Sequence, residues 1–199
     1  MLQQNALPTV GACCNGIEVW ATDVQQVADG VYVLYYAGSP YGPKLTCCIG
    51  TATSPNPEGP FTPATTPFTC NIAQGGLIDP SGFVDVDGHH YVTYKIDGNS
   101  LGHLYSAFGF NSHYLQEVES DGATPIGNLI QVLDRDASDG LLVEAPDIIR
   151  TAEGIYILFH SSHCLNPLLY DVRYATATNV MGPYMKNPAL LLATGDYRL

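Results

Sequence analysis

An all-β fold assembled from a repeated four-stranded antiparallel unit is what this sequence predicts, on three observations. The first is composition along the chain. From Trp20 onward, β-branched and aromatic residues cluster in runs of about five to eight, separated by Gly, Pro, Asp and Asn, as strands and turns require. The second is a pattern met three times: residues 142–164 (LVEAPDIIRTAEGIYILFHSSHC), 20–39 (WATDVQQVADGVYVLYYAGS) and 77–100 (LIDPSGFVDVDGHHYVTYKIDGNS). Each is a polar-tipped strand, a tight turn and a second, aromatic-rich strand. The third is spacing. From the hairpin glycine to a later Gly-Pro pair is 29 residues in one copy (Gly30 to Gly59) and 28 in another (Gly154 to Gly182). The hairpin glycines themselves recur at intervals of 58 and 66 residues.

The elements follow in order. Residues 1–16 read as an irregular lead-in. Asp29-Gly30, Asp87-Gly88 and, less ideally, Glu153-Gly154 read as hairpin turns, because glycine supplies the positive φ that primed turns require. The strands VYVLYYA (31–37), HHYVTYKI (89–96) and GIYILFH (154–160) return from those turns. CIGTATS (48–54) and VRYATAT (172–178) supply third strands, each followed by a Gly-Pro turn at Gly59-Pro60 or Gly182-Pro183 and a fourth strand. A four-stranded unit at this period is the signature of a β-propeller blade. A β-sandwich also offers many short strands, but not the same turn chemistry at matched offsets. The units span about 17–63, 77–130 and 142–190, within one partial propeller domain covering residues 1–199.

Charge narrows the function. Seven Lys and Arg against 19 Asp and Glu give −12, which repels nucleic-acid phosphates and anionic lipid and argues against both as partners. Six cysteines (Cys13, Cys14, Cys47, Cys48, Cys70 and Cys164) show no CxxC spacing, so no metal-ligand motif is read. Two adjacent pairs suit an oxidised, extracellular chain, with Cys48 to Cys70 the leading disulfide candidate. Small buried thiols are the alternative. The first residues, MLQQNALPTVGACC, have neither the basic nor the apolar region of a signal peptide.

In a propeller the first strand of each blade lines the central channel. Counting back from the hairpin glycines places Trp20, Asp79 and Glu144 nine or ten residues earlier, at one rim. An aromatic face to stack on a sugar ring beside two carboxylates is the composition of a carbohydrate site. Glu144 sits between apolar neighbours, where an acid is seldom left without a purpose. Asp79 before Pro80 also suits a turn, and Trp20 also suits a core. Asp23 and Asp147, three residues beyond the rim, read as acceptors for backbone amides. His160, near the end of the third hairpin, is a candidate sugar contact with a structural role equally open. No metal ligands and no cofactor are expected, although a structural ion in the channel is left open.

IDPSGFVDVDGHHYVTYK, VEAPDIIRTAEGIYILFHSS, WATDV and the IGTATS…GPF pattern together resemble glycoside hydrolase family 43, particularly its fungal secreted members, over about residues 16–198. The resemblance implies a five-bladed propeller that hydrolyses arabinan- or arabinoxylan-type plant polysaccharide with inversion, outside the cell. It implies that Glu144 is the general acid and that Asp79 tunes and orients it. A proton donor of this kind needs apolar surroundings or a neighbouring negative charge to keep its proton. The family's general base is an Asp one blade ahead of the WAPDV strand. Only 19 residues precede Trp20 and none is Asp; the sole acid is Glu18, and Thr22 stands where the family has Pro. The expectation is therefore a truncated member holding about three of five blades, without the first and last. The alternative is an inactive remnant or sugar-binding module lacking the base.

Overall fold

The computed structural model describes residues 5–15, 19–40, 46–101, 111–163 and 168–195; Glu18 and Cys164 lie outside the described residues. Three antiparallel sheets follow one another along the chain. The first holds β1 (Val19–Ala28), β2 (Val31–Gly38), β3 (Cys48–Ser54) and β4 (Thr62–Pro63) in that order, with β5 (Thr69–Cys70) also on β3. The second runs β6 (Leu77–Val84), β7 (His90–Ile96), β8 (His113–Val118), β9 (Pro125–Leu133). The third runs β10 (Val143–Arg150), β11 (Tyr156–Ser162), β12 (Asp171–Ala177), β13 (Met185–Lys186), with β14 (Leu192–Ala193) also on β12. Sequential antiparallel order, with the first strand of each sheet nearest the others, is the blade arrangement of a β-propeller.

The hairpins use glycine, but not in primed turns. Gly88 and Gly154 donate to Asp85 O (3.0 Å) and Thr151 O (3.0 Å). Only the glycine of each pair has positive φ, 85° in both. That is a three-residue loop closed by a glycine bulge, which needs one left-handed residue rather than two. The Gly-Pro pairs at Gly59-Pro60 and Gly182-Pro183 are cis and lead into β4 and β13. The second sheet has no such pair. There the Asp121 carboxylate accepts from the amides of Ala123 (2.8 Å) and Thr124 (2.9 Å), turning the chain into a longer fourth strand.

Period-2 alternation distributes the core. On β2, Val33 and Tyr35 face the second sheet, where they pack with Leu77, Val92, Tyr94, Ile96 and Val118. Leu34 and Tyr36 face the other way, onto Cys13, Cys48, Ala52 and Phe61, with Leu7 against them. Residues 5–15 thus cover the outer face of the first sheet, fixed by Phe61 N to Ala6 O (2.7 Å) and Gly11 N to Tyr36 Oη (3.0 Å). A disulfide joins Cys48 to Cys70, cross-strand partners on β3 and β5. The second and third sheets meet over Tyr91, Leu115, Val132, Ile148, Tyr156 and Leu158. Tyr156 Oη also donates to Asp85 Oδ2 (2.5 Å) across that joint. On the outer face of the third sheet the row Ile149, Ile157, Thr176, Met185 is paired in register, and Ile149 and Met185 are exposed.

At one end, the joint between the second and third sheets turns polar. Lys95, His113, Asp139 and His160 are all buried there. The His113 and His160 rings lie 6.2 Å apart, and neither imidazole has a hydrogen-bond partner among the described residues. Burial first, then the neighbouring His160, Lys95 and Lys186, hold the His113 pKa well below the ordinary histidine value. The folded chain therefore keeps His113 neutral while the unfolded chain takes up a proton below about pH 6.5. Stability is full above that pH and falls as pH drops below it. In urea unfolding at pH 7.5 and 5.5, His113→Leu is expected to shrink the wild-type loss by about 1 kcal/mol, less than the limit of one proton over that interval. An unchanged difference between the two pH values would remove this role from His113.

Candidate active site

Three bulges build the site. The register breaks between Trp20 and Asp23 on β1, between Ile78 and Ser81 on β6, and between Glu144 and Asp147 on β10. The first extra residue of each bulge has positive φ: Ala21 at 48°, Asp79 at 55° and Ala145 at 53°. For a residue with a Cβ that conformation costs about 1–2 kcal/mol, least for Asp, whose short polar side chain finds local partners. Each bulge bends its strand end toward the others. Residues 21–23, 79–81 and 145–147 together line an open cleft of about 240 Å³.

The register corrects one expectation. The residues equivalent to Trp20 and Glu144 include Ile78, not Asp79, since Trp20, Ile78 and Glu144 pair with Ala37, Lys95 and Ser161. Asp79 occupies the left-handed position of Ala21 and Ala145. Ten residues back from each turn glycine stand Trp20, Ile78 and Glu144, whereas Asp79 stands nine back, with Ala21 and Ala145. Thr22 is equivalent to Pro80 and Pro146 by the same register.

Asp79 is half-buried, and its Oδ2 accepts from the Ala145 amide at 3.0 Å. Burial raises its carboxyl above the ordinary carboxylate range. The Ala145 amide and the Lys95 charge pull the other way, and Glu144 adds to the rise. Asp79 thus grips the backbone next to Glu144 on the neighbouring sheet. Glu144 is 19% exposed. Its Oε1 accepts from Tyr170 Oη at 2.9 Å, and its Oε2 lies 3.8 Å from Lys95 Nζ. The apolar setting expected from Leu142, Val143 and Ala145 is not what its carboxylate meets. Leu142 and Val143 are buried in the core, while Ala145 is exposed at the cleft.

Asp23 Oδ2 accepts from Gly82 N at 2.8 Å, the backbone role expected of it. Asp147 Oδ1 instead accepts from Ser81 Oγ at 2.8 Å. Burial raises the Asp23 carboxyl, the Gly82 amide opposes this, and nearby Asp147 adds to it. Trp20 is half-buried on β1, one residue before those lining the cleft. His160 is placed differently from expectation. It is 1% exposed, because alternation on β11 turns it inward with Tyr156 and Leu158. Its Nε2 lies 3.8 Å from Asp139 Oδ1, so it is an interior residue rather than a cleft contact. Among the described residues no group of three His, Cys, Asp or Glu side chains forms a metal-ligand set. Lys95 and Tyr170, the two partners of Glu144, carry no sequence motif. Lys95 was detectable only as the charge in an otherwise apolar, aromatic strand.

The Asp79 contact has a measurable weight. Asp79→Ala removes both the acceptor for Ala145 N and a residue type tolerant of positive φ, and is expected to cost about 1–2 kcal/mol in thermal or urea unfolding. Asp79→Asn keeps both features and is expected to lose less than half of that. Equal losses would show that charge, rather than the hydrogen bond, holds the bulge.

Residues 5–195 match the family model described as glycosyl hydrolases family 43. A curated relative, xylosidase/arabinosidase 43A of Humicola insolens, is 39% identical over 75 residues, which is 38% of this chain and 21% of the relative. An endo-arabinase structure from Bacteroides thetaiotaomicron superimposes with TM-score 0.68 at 24% identity, over 87% of this chain and 62% of that one. An exo-1,5-alpha-L-arabinanase from a bovine ruminal metagenomic library does so with TM-score 0.69 at 22% identity, over 92% and 63%. The chain thus spans less than two thirds of those structures, and one fifth of the curated relative is matched. The match over nearly its whole length places this chain in glycosyl hydrolases family 43.

Proposed function

We propose that the chain serves the hydrolysis of pentose-containing plant polysaccharide, arabinan or arabinoxylan, by an inverting acid/base mechanism. The observation that carries this reading is the placement of Glu144 beside the bulge cleft, with Asp79 from the next sheet gripping the adjoining Ala145 amide. Glu144 donates its proton to the glycosidic oxygen as the bond to the sugar breaks. Asp79 fixes the strand that carries Glu144 and sets the local charge. Trp20, just outside the cleft, offers an aromatic face to a second sugar unit. Inversion needs a separate base roughly 6.5–9.5 Å from the acid, with water between them. Asp23 and Asp147 already hold Gly82 N and Ser81 Oγ. The base is therefore assigned to the part of the family's length that this chain does not span. The Cys48–Cys70 disulfide supports action outside the cell, where such bonds persist. No cofactor is invoked.

The test is pentose release from arabino- and xylo-oligosaccharides by a form of the protein that spans the family's length and so supplies the base, compared with an aryl pentoside whose leaving group needs no proton. Glu144→Gln is expected to lower kcat on the oligosaccharides by about 10²–10⁴-fold while largely sparing the aryl substrate. Equal loss on both would remove the acid role from Glu144. A base-bearing form that binds oligosaccharide in calorimetry yet releases no pentose would instead establish a sugar-binding module.

A further inference from the structure

We propose that Lys95 is the positioning residue for Glu144, a buried cation that fixes the acid's carboxylate in the cleft; this rests on the reading of Glu144 as the acid. Lys95 ends the face of β7 that also carries Tyr91 and Thr93, and this face is turned toward the third sheet. Thr93 Oγ1 donates to Pro146 O at 3.3 Å, so the same strand face already holds the bulge that follows Glu144. The Lys95 side chain is 1% exposed. A buried ammonium requires anions around it, since its desolvation is otherwise unrecovered. Two are present: Asp97 Oδ1 at 3.3 Å and Glu144 Oε2 at 3.8 Å. Asp97 is fixed in turn by Ser100 Oγ, which donates to its Oδ2 at 2.7 Å.

The arrangement runs in one direction. Ser100 anchors Asp97, Asp97 anchors Lys95, and Lys95 faces Glu144. Tyr170 holds the other oxygen of that carboxylate at 2.9 Å. Glu144 is therefore restrained on both oxygens, by β7 of the second sheet and by the residue that precedes β12, which removes rotamers that would swing it out of reach of a substrate. At 3.8 Å Lys95 Nζ makes no short hydrogen bond to Oε2, so this oxygen stays free to carry the proton that the acid donates. When the proton leaves Glu144, the charge that develops meets a cation already in place and needs no reorganisation. The positions equivalent to Lys95 in the first and third sheets are Ala37 and Ser161, so the repeat itself does not ask for a long charged side chain here. The cation belongs to the site and not to the blade.

Two measurements decide it. The chain has three lysines, Lys44, Lys95 and Lys186, so side-chain ammonium ¹⁵N NMR is readily assigned with Lys→Met variants. Glu144→Gln is expected to shift the Lys95 resonance and leave that of Lys186, which pairs with Asp136 and Asp139, in place. An unmoved Lys95 resonance overturns the proposal. In kinetics of a form that supplies the base, Lys95→Met is expected to lower kcat on oligosaccharide by about 10²-fold, with a much smaller loss on the activated aryl pentoside and little change in KM. Lys95→Arg is expected to recover part of the loss. Equal loss on both substrates, together with a lowered Tm, would make Lys95 a structural residue and overturn the positioning role. If a form that supplies the base cleaves neither substrate, the acid reading itself fails. A shifted resonance would then leave Lys95 as a structural counter-ion only.

Discussion

The site depends on a backbone device repeated three times: a bulge at the entry of each innermost strand, with a non-glycine residue in the left-handed region. A regular strand would send successive side chains to opposite faces of the sheet, into the joints between blades. The extra residue breaks that alternation and delivers part of the chain to the mouth of the channel. Ala21 and Ala145 bear the conformational cost without a polar side chain to offset it. The cost is tolerated because strands pair regularly on both sides of each bulge, and because carboxylates from one sheet bind amides of the next. Asp23 does so to Gly82, and Asp79 to Ala145. The bulges are thus locked across sheets rather than within them, and the cleft exists only when adjacent sheets are docked.

The two joints between sheets differ in kind. The first is apolar over most of its area, with Tyr35, Phe68 and Tyr94 meeting edge to face, and Asp23 crosses it to Gly82 N beside the cleft. Within the apolar part, Tyr35 Oη donates to Gly122 O at 2.6 Å, which satisfies a hydroxyl that burial would otherwise penalise. The second is apolar over most of its area, but near the cleft it holds Lys95, His113, His160 and Asp139. Replacing such a network by hydrocarbon is often neutral or favourable for stability. Its presence on the side of the joint that carries Glu144 fits a functional demand better than a structural one. Lys186 closes the far side of this group through Asp136 and Asp139.

The two ends of the arc are also unlike. Residues 5–15 cover the outer face of the first sheet, where Gly11 approaches the Ala64 carbonyl too closely for any side chain. On the third sheet the corresponding face carries Ile149, Ile157, Phe159 and Met185, with no cover among the described residues. An apolar sheet face of this kind is stable when something packs on it. The matched structures, which are longer, have the length to supply such a layer.

The sequence alone determined the repeat, the hairpins and the order of strands, because period-2 patterning and glycine turn chemistry are local and survive in one dimension. It also singled out Asp79 and Glu144, whose types and neighbours set them apart. It misplaced Asp79 by one position, because nine and ten residues before the turn glycine were treated as one slot, and pairing across strands separates them. It left His160 open between a sugar contact and a structural role, and alternation on β11 turns that ring into the joint. It passed over Lys95 and Tyr170, since a lysine in a strand ordinarily faces water. Burial and charge neighbours are properties of packed sheets. They come from residues far apart in the chain, such as Lys95 with Glu144, so only the tertiary structure could decide which carboxylate meets which cation.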